Sequence, residues 1–306
     1  MLWLFNPDLS RDDEATTLAV VYCAPDEVTA INLNKAVLAV SATAAALKQG
    51  QQVHSGQRQA ALVTGGGTRL GAHFARFLAA SGYDIALHYN SSAEGALAVA
   101  AEIKAQGGRC EVFQHDFLAS TTPAALIDEV YARFTNLSVL VNSASVYDAS
   151  STQQSDLALL EKQFKVNMFT PYLLTARFAA LVESGAVVNI IDNKIAYQQY
   201  YYSAYLLSKK SLADFTRMAA LEFAPKLRIN GIAPGVVLPM DARTSDYIEW
   251  RIDGIPLKQQ GSPDHLCQAL AYLLNNSFVT GQILFVDGGE GLNHIGRNAE
   301  SYTDAR

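Results

Sequence analysis

The sequence predicts an α/β fold, a doubly wound parallel sheet covered by helices on both faces, and three observations point to it. From about Arg58 onward, short apolar runs alternate with amphipathic stretches. The stretches carry apolar residues at helical spacing, as at Leu70, Phe74, Phe77 and Leu78, which share one helix face. A glycine cluster lies between the first run and the first stretch. Strands that alternate with helices of about 10–15 residues form βαβ units, hence a parallel sheet. Such a sheet binds ligands at the carboxyl ends of its strands.

In chain order, the apolar run Ala60–Thr64 reads as the first strand and Arg69–Ala80 as the helix after it. Asp84–Tyr89 and Ala93–Gln106 form the second strand and helix. Cys110–Asp116 is the third strand, followed by a helix over Pro123–Phe134 with Leu126, Val130 and Phe134 on one face. Leu137–Asn142 and Ala186–Ile191 read as buried strands, with one long helix, about Asp156–Glu183, between them. Ser203–Phe223 is a further helix, Arg228–Ile232 a strand, Pro263–Leu274 a helix and Gln282–Val286 the last strand. Residues 236–261 read as a loop without a legible element.

Residues 58–306 are thus expected to form one domain. Residues 1–57 stand outside this rhythm as an N-terminal extension, with a strand expected at Leu18–Cys23, an Ala-rich helix at Val28–Gln49 and a polar linker at Gln49–Gln59. Two readings stay open for the extension: translation from an upstream start, or an appendage that packs on the domain or on a partner subunit.

Composition narrows the function classes. The chain has 306 residues, a formal net charge of -6, half of its residues hydrophobic and 17% charged, against about a quarter charged in an average domain. That profile suits a large core and excludes disorder as the main state. A net acidic chain without basic runs argues against nucleic acid as partner. Cys23, Cys110 and Cys267 are far apart and odd in number. They give neither a disulfide framework nor a metal-ligand spacing, as expected for a reducing, cytoplasmic setting. The first residues lack a basic leader pattern. The apolar stretch Ala36–Leu47 between Lys35 and Lys48 is shorter than the about 20 residues a bilayer needs.

The glycine cluster reads Thr64-Gly65-Gly66-Gly67-Thr68-Arg69-Leu70-Gly71. Glycines let the backbone turn tightly and approach a pyrophosphate, and a helix N-terminus supplies free N–H groups and positive potential. A strand before it and a helix after it give the cluster the context of a nucleotide site. The second strand ends in His88-Tyr89-Asn90-Ser91-Ser92, with no acid from Ile85 to Ala93. A carboxylate there would hold the ribose hydroxyls of NAD. Without one, a 2'-phosphate meets no repulsion, and His88, Ser91 and Ser92 are candidate donors to it, so NADPH is the expected cofactor.

A second constellation is Tyr205-Leu206-Leu207-Ser208-Lys209. Four residues of helical spacing put Tyr205 and Lys209 on one face. A Lys cation lowers the pKa of a nearby phenol, which makes Tyr205 a candidate proton donor near neutral pH.

Together these motifs resemble the short-chain dehydrogenases/reductases, over about residues 58–292, and within them the pteridine and dihydromonapterin reductases. Arg69 stands where the TGxxxGxG turn has its middle glycine and is similar to the TGxxxRLG turn of pteridine reductases. The resemblance implies a Rossmann-type sheet and an adenine contact at Asp116, with Phe117 beside it. It places Asn142, Ser143 and Ala144 in the turn that closes over the cofactor, and Pro234-Gly235 beside the nicotinamide. It gives Asn167 the task of holding a water in a proton relay behind Lys209. Most members carry a Ser at the position of Asp192, thirteen residues before Tyr205. A carboxylate repels a developing alkoxide and suits a substrate protonated on ring nitrogen. Asp192, Tyr205, Lys209 and Asn167 are therefore the expected catalytic group. Arg69, Ser145, Tyr147, Asp192 and Tyr205 are the expected substrate contacts, with Tyr147 sandwiching a pterin against the nicotinamide. Met240, Tyr247 and Trp250 are candidates to cap a flat ring.

The expected activity is NADPH-dependent reduction of a dihydropterin of the monapterin, biopterin or folate type. Two alternatives stay open: a ketone or 3-oxoacyl reductase, and a catalytically silent NADP(H)-sensing protein. The resemblance also implies a homotetramer, while the charge balance and the short apolar stretch leave neither nucleic acid nor membrane as an expected partner.

Overall fold

The computed structural model describes residues 58–238 and 244–293. The strand and helix expected before Arg58, and Met240, lie outside these residues.

Seven strands form one sheet: β1 (Ala60–Val63), β2 (Asp84–Tyr89), β3 (Cys110–Gln114), β4 (Leu137–Asn142), β5 (Gly185–Ile190), β6 (Leu227–Pro234) and β7 (Ile283–Val286). Their order is β3-β2-β1-β4-β5-β6-β7, and every neighbouring pair is parallel. The register sets Val63 beside Leu87 and Val141. The chain reverses direction across the sheet between β1 and β4, where ligands bind in doubly wound sheets.

Side chains alternate across a strand, so a sheet covered on both faces needs strands apolar at every position. Ala60 and Leu62 of β1 pack into one core and Ala61 and Val63 into the other. The first core includes Leu126 and Val130 of α3 (Ala125–Arg133), Leu174 and Phe178 of α5 (Thr170–Leu181), and Leu212 and Phe215 of α6 (Ser203–Phe223). The second includes Phe74 and Leu78 of α1 (Arg69–Ala80), Val99 and Ile103 of α2 (Ala93–Ala105), and Leu266 and Leu270 of α8 (Pro263–Asn275). Phe74, Phe178, Leu126 and Leu174 are fully buried or nearly so, each contributing about 1.5–3 kcal/mol by leaving water.

The expected elements appear in order, with ends shifted by a few residues. Two differences matter for the site. The long helix expected over 156–183 is interrupted: α4 (Leu157–Phe164) runs into a π-helical turn, Lys165–Phe169, before α5 begins. Thr170 N–H bonds back to Lys165 O across that turn. Pro171, which has no N–H to give, follows directly in the first turn of α5. The second difference is α7 (Ser245–Asp253), a helix inside the stretch expected to be a loop. The Thr244 hydroxyl accepts from Tyr247 N–H and caps it.

Candidate active site

The site begins at the reversal between β1 and β4. Thr64 Oγ1 accepts from the N–H groups of Ser143 and Ala144, both at 3.0 Å, and ties the two strand ends together. Gly65 has φ +65, and a Cβ there would meet Ala144 Cα at 3.0 Å. A Cβ at Gly71 would fall 2.1 Å from Gly65 O, so the first turn of α1 folds flat against the glycine turn. Arg69 takes φ +50, a left-handed conformation uncommon outside glycine. Its guanidinium donates to Leu238 O, which fastens the start of the substrate-side segment to the glycine turn.

His88 has a different task from the one expected. Its ring is 1% exposed. Nδ1 accepts from Gly65 N–H at 3.1 Å, and Nε2 lies 3.0 Å from His115 O. An Nδ1 that accepts leaves the proton on Nε2, which donates to that carbonyl. The ring also stacks on Phe117 at 4.2 Å between centroids. Burial pulls its pKa down to about 4, against the opposing pull of the His115 backbone bond. His88 therefore holds the glycine turn from behind, neutral at physiological pH, and both ring nitrogens are used. Gly66 N–H bonds to His88 O as well. Asn90 and Ser91 are exposed, Tyr89 and Ser92 partly buried, at the end of β2 and the start of α2. Asp116 is exposed, and its Oδ1 accepts from Leu118 N–H at 2.8 Å, closing a turn that ends β3 early. Phe117 is buried against His88 rather than open at the rim.

The other end of the site is built on α6 and the end of β5. Tyr205 donates its hydroxyl proton to Asp192 Oδ2 at 2.8 Å. Asp192 Oδ1 accepts from Lys194 N–H at 2.8 Å, so both carboxylate oxygens are held. Lys209 Nζ donates to Ile190 O at 2.8 Å and lies 5.9 Å from the Tyr205 ring centroid. The expectation that Lys209 lowers the phenol pKa is not met. Burial, then the Asp192 charge and hydrogen bond, push Tyr205 well above its ordinary value. Burial draws Lys209 down to about 8, with Asp192 pulling the other way. The phenol is thus kept protonated, and the ammonium is the more easily discharged group.

Asn167 sits in the π turn and does not line the cavity. Its Oδ1 accepts from Val146 N–H at 2.9 Å and Ser145 Oγ at 3.0 Å. Its Nδ2 faces Val146 O, Gln163 Oε1 and Ser208 Oγ at 3.0–3.1 Å. The Asn167 side chain thus clamps the loop after β4 to α4 and α6. Asn142 is turned inward too: its Nδ2 donates to Asn189 Oδ1 at 2.8 Å, across β4 and β5.

A cavity of about 530 Å³ joins these parts, the size of a small-molecule site. Gly65, Thr68, Arg69, Leu70 and Gly71 line one end. Ser143, Ala144, Ser145 and Tyr147 form one wall, and Pro234 and Gly235 contribute another. Asp192, Tyr205 and Lys209 line the cavity as well. Tyr147 stacks on Tyr202 at 4.3 Å and 10°, and meets Tyr205 edge-on at 4.6 Å. Tyr202 holds φ +58 at the start of α6. Sequence reading missed Tyr202, Asn193, Lys194 and Arg251. Tyr202 was hidden among four neighbouring tyrosines, and Arg251 sits on a helix the sequence did not announce.

The fold and this arrangement define a short-chain dehydrogenase/reductase, and the chain belongs to that family: its model described as enoyl-(acyl carrier protein) reductase matches residues 67–290. Among curated relatives, the chain is 31% identical to pteridine reductase 1 of Leishmania tarentolae, over 76% of this chain and 96% of that protein. It is 29% identical to the 3-oxoacyl-[acyl-carrier-protein] reductase FabG of Staphylococcus aureus, over 76% and 97%. Among solved structures, FolM alternative dihydrofolate reductase 1 from Brucella suis in complex with NADP is similar, with TM-score 0.74 and 30% identity. That match covers 79% of this chain and 98% of the other.

Proposed function

We propose that this protein is an NADPH-dependent reductase that converts a dihydropterin to its tetrahydro form. One observation carries the reading: the hydroxyl of Tyr205 is bonded to a carboxylate, Asp192. A carbonyl oxygen gaining negative charge beside that carboxylate would be repelled, whereas a ring nitrogen taking up a proton would be stabilised. The likeness to pteridine reductase 1 and to the NADP complex of FolM supports the same reading.

The residues present fit a dinucleotide. The N-terminus of α1 has neither a side-chain cap nor an acid in its first turn, so its N–H groups and positive end remain for a phosphate. Gly65 and Gly71 leave no room for a side chain where the phosphates would pass. Thr68, Arg69 and Leu70 would hold the pyrophosphate, and Asn90, Ser91 and Ser92 the 2'-phosphate. Ser143, Ala144, Pro234 and Gly235 would border the nicotinamide, with Lys209 at its ribose. When bound, NADPH supplies the hydride.

The chain supplies the rest. Tyr205 gives its proton to the ring nitrogen next to the carbon being reduced, and solvent replaces it. Asp192 aims that hydroxyl and favours positive charge on the substrate ring. The Lys209 cation offsets charge developing on the phenolate oxygen. Arg69 and Ser145 orient the substrate, and Tyr147 offers it a ring face. Asn167 positions Ser145 through the hydrogen bond between them.

The test follows NADPH oxidation by the purified protein with 7,8-dihydromonapterin, 7,8-dihydrobiopterin and dihydrofolate beside a panel of ketones. Turnover of a dihydropterin, abolished in Asp192→Ala and Tyr205→Phe, is expected. Turnover of ketones alone would favour a 3-oxoacyl reductase, the second reading that the similarity to FabG keeps open. NADPH binding without turnover would favour a sensor. The same reading includes a homotetramer, supported by exposed Tyr172, Leu173, Met218 and Leu221 on α5 and α6 and by exposed Phe278 and Phe285 near β7.

A further inference from the structure

Two residues that line the cavity, Asn193 and Arg251, are joined by the carboxylate of Glu290, which is 2% exposed. Glu290 Oε1 accepts from Arg251 Nη2 at 2.7 Å, and Oε2 accepts from Asn193 Nδ2 at 2.9 Å. Arg251 belongs to α7, and Asn193 directly follows Asp192.

Asn193 opens a short 3-10 turn, Asn193–Ala196, which Asp192 caps. The Asp192 carboxylate takes its aim from that turn. Its Oδ1 accepts from Lys194 N–H and its Oδ2 from the Tyr205 hydroxyl, both at 2.8 Å. The Asn193 side chain pins the turn, donating to Glu290 and, at 3.4 Å, to Asp287 Oδ2. Asp287 Oδ2 also accepts from Gly291 N–H at 2.7 Å. A Cβ at Gly291 would meet Ala196 Cβ at 3.3 Å, so the turn Glu290–Leu292 packs directly on Asn193–Ala196. One line of bonds therefore runs from Glu290 through Asn193 and Lys194 N–H to Asp192 and Tyr205.

Stability gives little reason to bury Arg251 and Glu290 as a pair. Desolvation of two charges offsets much of their attraction, and apolar residues of similar volume often serve a core as well. Positioning gives a better one. Burial draws the Arg251 pKa down, and the Glu290 and Tyr247 partners raise it further than that, so the guanidinium stays charged. That cation fixes one Glu290 oxygen and leaves the other to hold Asn193.

We propose that Glu290 is a positioning residue for the proton donor. It holds Asn193, and through the turn that Asn193 opens it sets the aim of Asp192 on Tyr205, while Arg251 anchors it to α7. The inference rests on the proton-delivery step of the proposed function and adds the residue that aims it.

Two variants cut the line at one link. Asn193→Ala removes the donor and leaves the Arg251–Glu290 pair whole. Glu290→Gln has one acceptor oxygen for two donors; the charged Arg251 takes it, and Asn193 is released. A flipped Asn193 amide does not repair the loss, because its oxygen would face the Asp287 carboxylate. Each change is made in wild type and in Tyr205→Phe, and kcat and KM for 7,8-dihydromonapterin are measured beside the NADPH dissociation constant. In wild type each should lower kcat by about 10- to 100-fold, as a misplacement of up to about 1 Å does. KM and NADPH binding should move by only a few fold. In Tyr205→Phe no proton donor remains to be aimed, so neither change should lower kcat further. Should either variant fail to fold, Arg251→Met with Glu290→Met takes its place, since replacing both charges of a buried pair is tolerated where removing one is not. Equal losses in the two backgrounds, as a merely structural role gives, or an unchanged kcat in wild type, overturn the inference and leave the functional reading intact. If wild type reduces only ketones, the dihydropterin reading falls, and the same comparison on a ketone decides for or against Glu290. No turnover of either class overturns both.

Discussion

The carboxylate of Asp192 and the phenol of Tyr205 are joined by a 2.8 Å hydrogen bond in which Tyr205 is the donor. Asp192 and Tyr205 thus form one hydrogen-bonded unit. The second Asp192 oxygen is fixed by Lys194 N–H, so the unit is aimed before substrate arrives.

Asp192→Ala and Tyr205→Phe should each lower kcat for a dihydropterin by about 10²- to 10⁴-fold, the usual worth of a positioned proton donor. NADPH dissociation constants should move by only a few fold. The double variant should be little worse than the weaker single one, because the two residues serve one proton transfer. Steady-state kinetics with a fluorescence titration of NADPH checks this, and simple multiplication of the two losses would contradict it.

Gly71→Ala should destabilise the fold by about 1–3 kcal/mol, as overpacking does, and weaken NADPH binding, since its Cβ would sit 2.1 Å from Gly65 O. Gly82→Ala is the control. That glycine has φ +94 but faces open space, so it carries conformational strain only and should leave NADPH binding untouched. Thermal unfolding and the same fluorescence titration read both effects.

The acid limb of stability should trace to His88. Its folded pKa of about 4 lies below the ordinary 6.5, so the unfolded chain binds the extra proton first. The stabilisation is complete above pH 6.5 and is lost as pH falls through 4, amounting to at most roughly 3 kcal/mol. His88→Asn removes the titrating ring, and denaturant melts between pH 4 and 6.5 should flatten by that amount. An unchanged slope would mean that the ring is not held neutral.

Lys209 titrates at the alkaline end. Its folded pKa is about 8 against an ordinary 10.5, so between these values the unfolded chain holds more protons and stability rises with pH. Relative to Lys209→Met, wild type should gain up to roughly 3 kcal/mol from pH 8 to 10.5. Turnover should run the other way, declining above about pH 8 as the cation discharges. A pH profile of kcat/KM beside unfolding curves separates the two trends.

The sheet was legible because every strand is a short apolar run, and Ala60–Val63 shows why: its side chains enter two different cores in alternation. That Gly65, Tyr205 and Lys209 share one cavity wall could be anticipated because a glycine turn and a four-residue helical spacing are local patterns, whereas Asp192 was singled out by the resemblance alone. What the sequence withheld depends on orientation. His88 reads as a polar residue at a strand end, yet its nitrogens turn inward to Gly65 and His115. Asn167 reads as a relay residue, and its amide is taken up by Ser145, Val146, Gln163 and Ser208. The Lys209 effect on Tyr205 was misjudged because a nearby cation counts for less than burial and a directly bonded carboxylate. Arg251 and Glu290 lie far apart in the chain, and only the packing of α7 brings them together.

The π turn at Lys165–Phe169 gives the α4–α5 segment one more residue than a regular helix of the same reach. That surplus makes its length a functional quantity. Removing any single residue from the turn would let the ladder close as plain α-helix. Because the wide turn absorbs its extra residue, the helix on either side keeps the phase of an uninterrupted α-helix, and Leu174 and Phe178 would stay in their core after the cut. What would go is the seat of Asn167, and with it the clamp on the loop that carries Ser145 and Tyr147. The surplus residue thus serves the site and not the fold, and grafts between related chains should keep the count from Leu157 to Leu181 intact.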